Sequence, residues 1–315
     1  MVSIILVNWN TPELTLSCLR SLLRLAGPQP QIIICDNHSE EGSYDLLRRA
    51  LPGLLTPPRD DWQTFRWRDL SATPSASAGT SEQQAQGPEM VLMRTPNNLG
   101  FAGGVNRCLR WALQNPAMAY AWILNNDTVV DEQALVTLLD AMQQEPDVAL
   151  CGSTLLYGEP PPARIQAAGG TYNAWLGITR HLLAHREYSP ELCRSVGADQ
   201  FDYIVGGSLL FRRAVLEQVG LLSEDYFLYF EELDWVRRMR RRLPGQRLGY
   251  APDSLVYHRA GASTGVNEQA GKTYRYASDY FYQTSRLRFA RRYYPWRYWL
   301  VRVTLLGVAV NPRTT

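Results

Sequence analysis

The sequence has no C-x-x-C pair, no G-K-[ST] after its glycine loop, no internal repeat and no apolar run of membrane-spanning length. Each absence removes a class. Cys18, Cys35, Cys108, Cys151 and Cys193 are odd in number and unpatterned, which predicts buried, reduced thiols of a cytosolic protein rather than a disulfide framework. Without G-K-[ST], the glycines of Asn97–Asn106 form no P-loop, and their G-x-x-G-G spacing departs from the dinucleotide fingerprint. Met1 runs straight into VSIILVNWN with no basic leader or cleavage site, so no signal peptide is expected. Nucleic-acid recognition motifs are absent too, and nucleic acid is not an expected partner.

What is present suits a globular protein. The 315 residues are 45% apolar and 20% charged, enough for one large domain or two small ones. The net charge of +2 hides an asymmetry, because residues 271–315 hold nine Lys/Arg against the single acid Asp279. A basic tail on a mildly acidic body points to an anionic partner. In that tail, aromatics and arginines around Tyr293–Trp299 precede a short apolar segment, Leu300–Val310, interrupted by Arg302. A span needs roughly 20 apolar residues. The segment suits either an interfacial position, with 293–315 on a membrane surface, or an ordinary docked helix.

Apolar runs at Val2–Val7, Ile32–Cys35, Met90–Met93 and Ala121–Leu124 read as strands. Helical patterns follow three of them, at Leu14–Leu22, Gly104–Leu113 and Glu132–Gln143. This alternation predicts an α/β unit with a mainly parallel sheet, whose ligands sit beyond the carboxyl ends of the strands. Asn8, Asp36 and Asp127 all fall there. Residues 52–89, rich in Pro, Ser, Ala, Thr, Gln and Gly, read as a mobile insertion. Further on, Tyr203–Phe211 is strand-like around Gly206-Gly207. Arg213–Val219 and Glu231–Arg242 are helical, and Ser254–His258 is strand-like.

Several residues carry candidate chemistry. Asp36 can accept hydrogen bonds from a nucleotide, or close an Asx-turn. The glycines after Asn98, beginning with Gly100, admit close approach of a ligand before a helix N-terminus, or simply make a tight turn. Asp127 can hold a hard divalent cation together with substrate phosphates, and His258 is the candidate second ligand. In FLYFEELDWVRRMRR (227–241), Asp234 has Arg237 and Arg238 at helical spacing and is the expected ion-pair partner. Glu231 and Glu232 lack a local cation, and spacing does not choose between them.

The ordered set VSIILVNWNT, IIICDNHS, NNLGFAGGVN, AWILNNDT, VGGSLLFRR and DYFLYFEELDWVRRMR resembles the inverting family 2 glycosyltransferases of GT-A fold, especially bacterial rhamnosyltransferases. The resemblance implies a Rossmann-like nucleotide-sugar-binding half at 1–150, an acceptor half at 151–270 and a helical tail at 271–315. It assigns Asn8, Asp36, Arg94, Asn98, Gly100, Asn126 and Asp127 to the nucleotide sugar. Gly206, Gly207 and Glu231 fall to the sugar or acceptor pocket, Asp127 and His258 to Mg2+ or Mn2+, and Glu232 to the catalytic base. The family's metal motif carries two aspartates. Asn125 replaces the first here, leaving one carboxylate. The implied activity is transfer of L-rhamnose from dTDP-L-rhamnose to a glycan or lipid-linked precursor, at the inner face of a bacterial membrane. Another donor (a UDP-hexose or UDP-galactofuranose) and a non-catalytic glycan-binding module are the alternatives.

Overall fold

In the first strands every residue has somewhere apolar to go. The computed structural model describes residues 1–70, 88–158, 160–161, 164–259 and 272–310. It opens with β1 (Val2–Asn8), α1 (Pro12–Leu22), β2 (Gln31–Asp36) and α2 (Glu41–Ala50). Next come β3 (Arg66–Asp69), β4 (Glu89–Arg94), α3 (Gly100–Ala112) and β5 (Tyr120–Leu124). Alternation then sorts side chains by sheet face. Ile5, Ile33, Val91 and Met93 pack with Val105, Cys108 and Leu109 of α3 on one side. Ile4, Leu6, Ile32 and Ile34 pack with Leu16, Leu19 and Leu22 of α1 on the other. Both faces are covered, as a parallel sheet requires. All five cysteines are buried and free, as expected.

The chain continues through β6 (Thr128–Val130), α4 (Ala134–Gln144), β7 (Val148–Tyr157), β8 (Ile165–Ala167), and the hairpin β9 (Gly170–Asn173) and β10 (Ile178–His181). It closes with α5 (Pro190–Arg194), β11 (Ser208–Arg212), α6 (Arg213–Val219), α7 (Glu231–Arg242), β12 (Arg247–His258), α8 (Lys272–Tyr293) and α9 (Tyr298–Val310). One sheet runs in the order β3-β4-β2-β1-β5-β11-β7-β12-β6. Its first five strands are mutually parallel, while β11 is antiparallel to both β5 and β7. The front of the chain is therefore the α/β unit the sequence predicts.

Four boundaries differ from expectation, the first being that α3 begins at Gly100 and not at Gly104, so Gly103 and Gly104 lie within the helix and not before it. Residues 52–70 are packed structure: Trp62 and Phe65 are buried, Trp62 donates to the Gly27 carbonyl at 3.2 Å, and β3 extends the sheet. The remainder of the expected insertion, 71–87, lies outside the described residues. The strand expected over Tyr203–Phe211 begins at Ser208, because Gly206 and Gly207 form a turn. The strand expected over Ser254–His258 begins earlier, at Arg247.

Candidate active site

The predicted site residues gather at the carboxyl ends of β1, β2 and β5, where a parallel sheet opens. Asn8 and Asp36 are register partners across β1 and β2, and both are buried. Asn8 Nδ2 donates to Asp36 Oδ2 at 2.8 Å, and the Ser39 amide donates to Asp36 Oδ1 at 3.0 Å. Asp36 thus closes an Asx-type turn, and two of its lone pairs are already used. Arg94 approaches from β4, its Nε 3.8 Å from Asp36 Oδ1 and its guanidinium stacked over Tyr44. Asn126 points to α1, donating to Thr11 and Thr15 at 2.8 Å each.

Asn37 organises the glycine loop, a role sequence reasoning missed. Its Nδ2 donates to Asn98 Oδ1 and to the Gly100 carbonyl, while its Oδ1 accepts from the Leu99 amide. The signal was its place beside Asp36 at a strand end. Gly100 serves packing. Its φ is +72°, and a Cβ there would lie 2.3 Å from the Phe227 carbonyl oxygen. The same carbonyl accepts from Phe101 N at 2.8 Å, so the loop clasps the segment leading into α7. Gly100→Ala is therefore expected to displace that segment: donor-dependent turnover should fall, and the thermal midpoint should drop by several degrees, for the strain of a non-glycine residue at positive φ. Wild-type values for both would refute the clasp.

Asp127 and His258 meet directly, with His258 Nε2 3.0 Å from Asp127 Oδ1. Asn125 Nδ2, which can only donate, lies 3.1 Å from the same Nε2. On the other side of the ring, Nδ1 lies 2.8 Å from Gln166 Oε1. The Asp127 carboxylate and the His258 ring nitrogen thus converge on one point at 3.0 Å. An imidazole whose other nitrogen is anchored by a carbonyl oxygen is how proteins present a metal ligand. One carboxylate and one imidazole fit a divalent cation completed by substrate phosphates. Among the described residues no group of three or more His, Cys, Asp and Glu side chains stands ready to hold one alone. Gln166 had no sequence signal, since β8 reaches the site only through its pairing with β7.

The acidic stretch reaches the same place by another route. Tyr229 and Phe230 both adopt left-handed φ, +67° and +70°, immediately before α7. Two such non-glycine residues carry strain of the kind found where function over-determines the backbone. Here the surroundings hold them: Phe230 packs on Tyr172, Tyr282 and Phe289, and Ser285 Oγ donates to the Leu228 carbonyl at 2.8 Å. The result aims the first turn of α7 at Gly206, whose Cβ would lie 3.5 Å from Glu232 Oε1. The next residue, Gly207, stands beside His258 Nδ1, and its carbonyl accepts from Asn125 N. The Gly206-Gly207 turn therefore joins Glu232 to the Asp127–His258 pair on the order of 10 Å away.

The two glutamates separate here. Glu231 is buried, and burial together with the adjacent Glu232 charge pushes its carboxyl well above the usual range. Glu232 is partly exposed as a residue, yet its Oε2 is shut off from solvent and has no hydrogen-bond partner among the described residues. Burial pushes its carboxyl up to about 7, opposed by backbone N–H groups including that of Gly206. Asp234 is fully spent, accepting from Arg238 Nε and Tyr293 OH, both at 2.7 Å.

Residues 68–220 match the family described as "Glycosyl transferase family 2". The low-salt glycan biosynthesis hexosyltransferase Agl10 of Haloferax volcanii is 22% identical over 211 residues, covering 67% of this chain and 61% of that protein. The chain thus spans less than two thirds of that relative's length. The N-acetylglucosaminyl-diphospho-decaprenol L-rhamnosyltransferase of Mycobacterium tuberculosis is 27% identical over 237 residues, 69% of this chain and 74% of that one. Among solved structures, the mannosyltransferase PcManGT of Pyrobaculum calidifontis, in complex with GDP-Man and Mn2+, superposes with a TM-score of 0.55 at 13% identity, over 98% of this chain and 75% of that one. GalNAc-T7 with UDP, GalNAc and Mn2+ gives 0.55 at 12% identity, over 82% and 43% of the two chains. At such identities the likeness speaks for the fold.

Proposed function

We propose that the chain is a family 2 glycosyltransferase that transfers a sugar from a nucleotide-sugar donor to an acceptor hydroxyl with Glu232 as base, a reading supported by the family match over residues 68–220 and the GT-A likeness of the fold. The observation that carries this reading is the pairing, across Gly206-Gly207, of a carboxyl that titrates near neutrality with the Asp127–His258 pair. A base poised near the working pH is the efficient one. Glu232 takes the proton of the attacking hydroxyl, and the Gly206 amide steadies the carboxylate that remains ready. No covalent intermediate is required, so one base suffices and the sugar inverts.

Asp127 and His258 would hold a divalent cation, Mg2+ or Mn2+, which supplies charge neutralisation at the departing diphosphate. Asn8, Asp36, Arg94 and Asn98 form the nucleotide side of the site, and Gly206 and Glu231 the acceptor side. The donor is best read as dTDP-L-rhamnose and the acceptor as a lipid-linked glycan. Support comes from the motifs and from the similarity to a mycobacterial rhamnosyltransferase. Residues 293–315 would then lie on a membrane surface at the cytoplasmic face. No helix among the described residues is long and apolar enough to cross a membrane.

A donor panel tests this, with released nucleoside diphosphate as readout. Turnover of dTDP-L-rhamnose, with UDP-hexoses inert, is the expected result. Turnover of a UDP-sugar instead would replace the donor, and donor binding without any turnover would leave a binding module. Asp127→Ala should abolish the Mn2+ dependence of donor binding measured by calorimetry. Unchanged Mn2+ dependence would remove Asp127 from the cation site.

A further inference from the structure

The second half of α7 takes no part in that chemistry. Arg237, Arg240 and Arg241 line a cleft with Tyr293 and Tyr294 at the end of α8. Their spacings put the three guanidiniums on one face of the helix. One carboxylate approaches: Asp202 Oδ1 lies 3.9 Å from Arg240 Nη1. Arg240 also donates to the Phe201 carbonyl at 2.8 Å. Arg237 donates to the Tyr294 hydroxyl, yet its Nε is buried without a hydrogen-bond partner among the described residues. Burial and the nearby Arg237 charge both push the Arg240 guanidinium below its usual value. The cleft holds more positive charge than its own acids balance.

Tyr294 connects this cleft to a second surface. The Arg297 guanidinium lies 5.7 Å from the Tyr294 ring and 4.0 Å from that of Trp175. Trp175 and Leu176 form the tip between β9 and β10, and that tip is clamped to α9. Gly177 has φ +70°, and a Cβ there would meet Val301 at 2.6 Å. Arg286 Nη2 holds the Leu176 carbonyl at 2.5 Å. Around the clamp Trp175 is 58% exposed, Trp296 96%, Trp299 64% and Val303 63%. Exposed aromatic and aliphatic side chains near underbalanced arginines mark an interaction surface.

We propose that the Arg237–Arg240–Arg241 cleft binds the phosphate of an anionic lipid headgroup, with the Trp175–Leu176 tip and the exposed side of α9 seated in the apolar boundary of the same bilayer. This deepens the membrane-surface reading given above and rests on it. Guanidinium forks match phosphate oxygens in pairs. Tryptophans with arginines are the pattern of an interfacial position, where one end is apolar and the other wet. Leu176, Leu300 and Val303 would find no apolar counterpart on a nucleic acid. The hairpin tip lies more than a hundred residues before the tail, so the surface is a property of the fold and not of the tail alone.

Cosedimentation tests it, using vesicles of phosphatidylcholine alone or mixed in equal parts with phosphatidylglycerol. Wild type should prefer the phosphatidylglycerol vesicles. Arg240→Gln with Arg241→Gln should lower that partitioning by about fivefold per arginine and erase the preference. Trp175→Ser with Trp299→Ser should lose binding to both compositions. Should the double arginine variant fold poorly by circular dichroism, Arg241→Gln alone decides, at about fivefold. Arginine variants that partition like wild type would overturn the cleft. Displacement of wild type by soluble glycerol phosphate at equal phosphate would assign the cleft to free phosphate instead. A vesicle-free dimer broken by Trp299→Ser would give the apolar face to a second copy. Wild type that binds neither vesicle would overturn both this inference and the membrane-surface reading, while donor turnover on a water-soluble acceptor would leave the transferase reading standing.

Discussion

Glu232→Gln is expected to lower sugar transfer by about a hundredfold to ten-thousandfold, the usual worth of a positioned base, with donor affinity unchanged. Glutamine keeps the shape and the hydrogen bond from Gly206 but cannot accept the acceptor's proton. Glu231→Gln is the contrast. Burial and its neighbour's charge push the Glu231 carboxyl well above the usual carboxylate range, toward the protonated form that glutamine mimics. Its turnover should stay close to wild type. In both wild type and Glu231→Gln, activity should rise with pH through about 7 as Glu232 ionises. Full turnover in Glu232→Gln, or loss of it in Glu231→Gln alone, would reassign the base.

The same carboxyl makes a stability prediction of definite sign. The folded state raises Glu232 from 4.5 to about 7 and so favours its protonated form. Stability from this group is therefore complete below pH 4.5 and is lost as pH climbs toward 7 and beyond. Glu232→Gln should melt above wild type at pH 8 and level with it at pH 4. An enzyme that holds its base in a dry pocket gives up stability for it.

Asp234→Ala is expected to do the reverse, destabilising the fold by about 3–5 kcal/mol, the cost of leaving buried charges without their partner. Asp234 is fully buried and meets Arg238 Nε at 2.7 Å, Tyr293 OH at 2.7 Å and Arg292 Nη1 at 3.3 Å. Those contacts tie α7 to α8, and α8 braces the strained Tyr229–Phe230 entry to the first turn of α7. At roughly 2–4 °C per kcal/mol the midpoint should fall by about 10 °C. The exposed pair Arg213–Glu217 is the control: Glu217→Ala should cost under about 1 kcal/mol. Equal effects at the two sites would show that Asp234 is no tie.

How much was legible depended on range. The strands Val2–Val7 and Ile32–Cys35 were readable because side-chain alternation and β-branched composition are local, and a buried parallel strand is apolar throughout. The Asp234–Arg238 pair was readable because four residues close one helical turn. Arg237, the other arginine at that spacing, turns instead to Tyr294, supplied by a helix that spacing cannot see. Trp62 and Phe65 were misread as part of an insertion because neither sits in a periodic run, yet both fill the core beneath the sheet.

By itself, then, the sequence determined which chemistry the chain carries: the strand-end carboxylates and amides, the glycine loop, and an acidic helix start with one acid already paired by spacing. Tertiary structure decided what each does. It tied Asp36 into an Asx-type turn that still leaves lone pairs on its carboxylate, and used Gly100 for a backbone clasp. It brought Gln166 from a distant strand to hold the His258 ring, and bent two left-handed residues to aim Glu232 across Gly206. Local patterns report only on neighbours in the chain, whereas protonation, access and aim arise from groups that packing brings together.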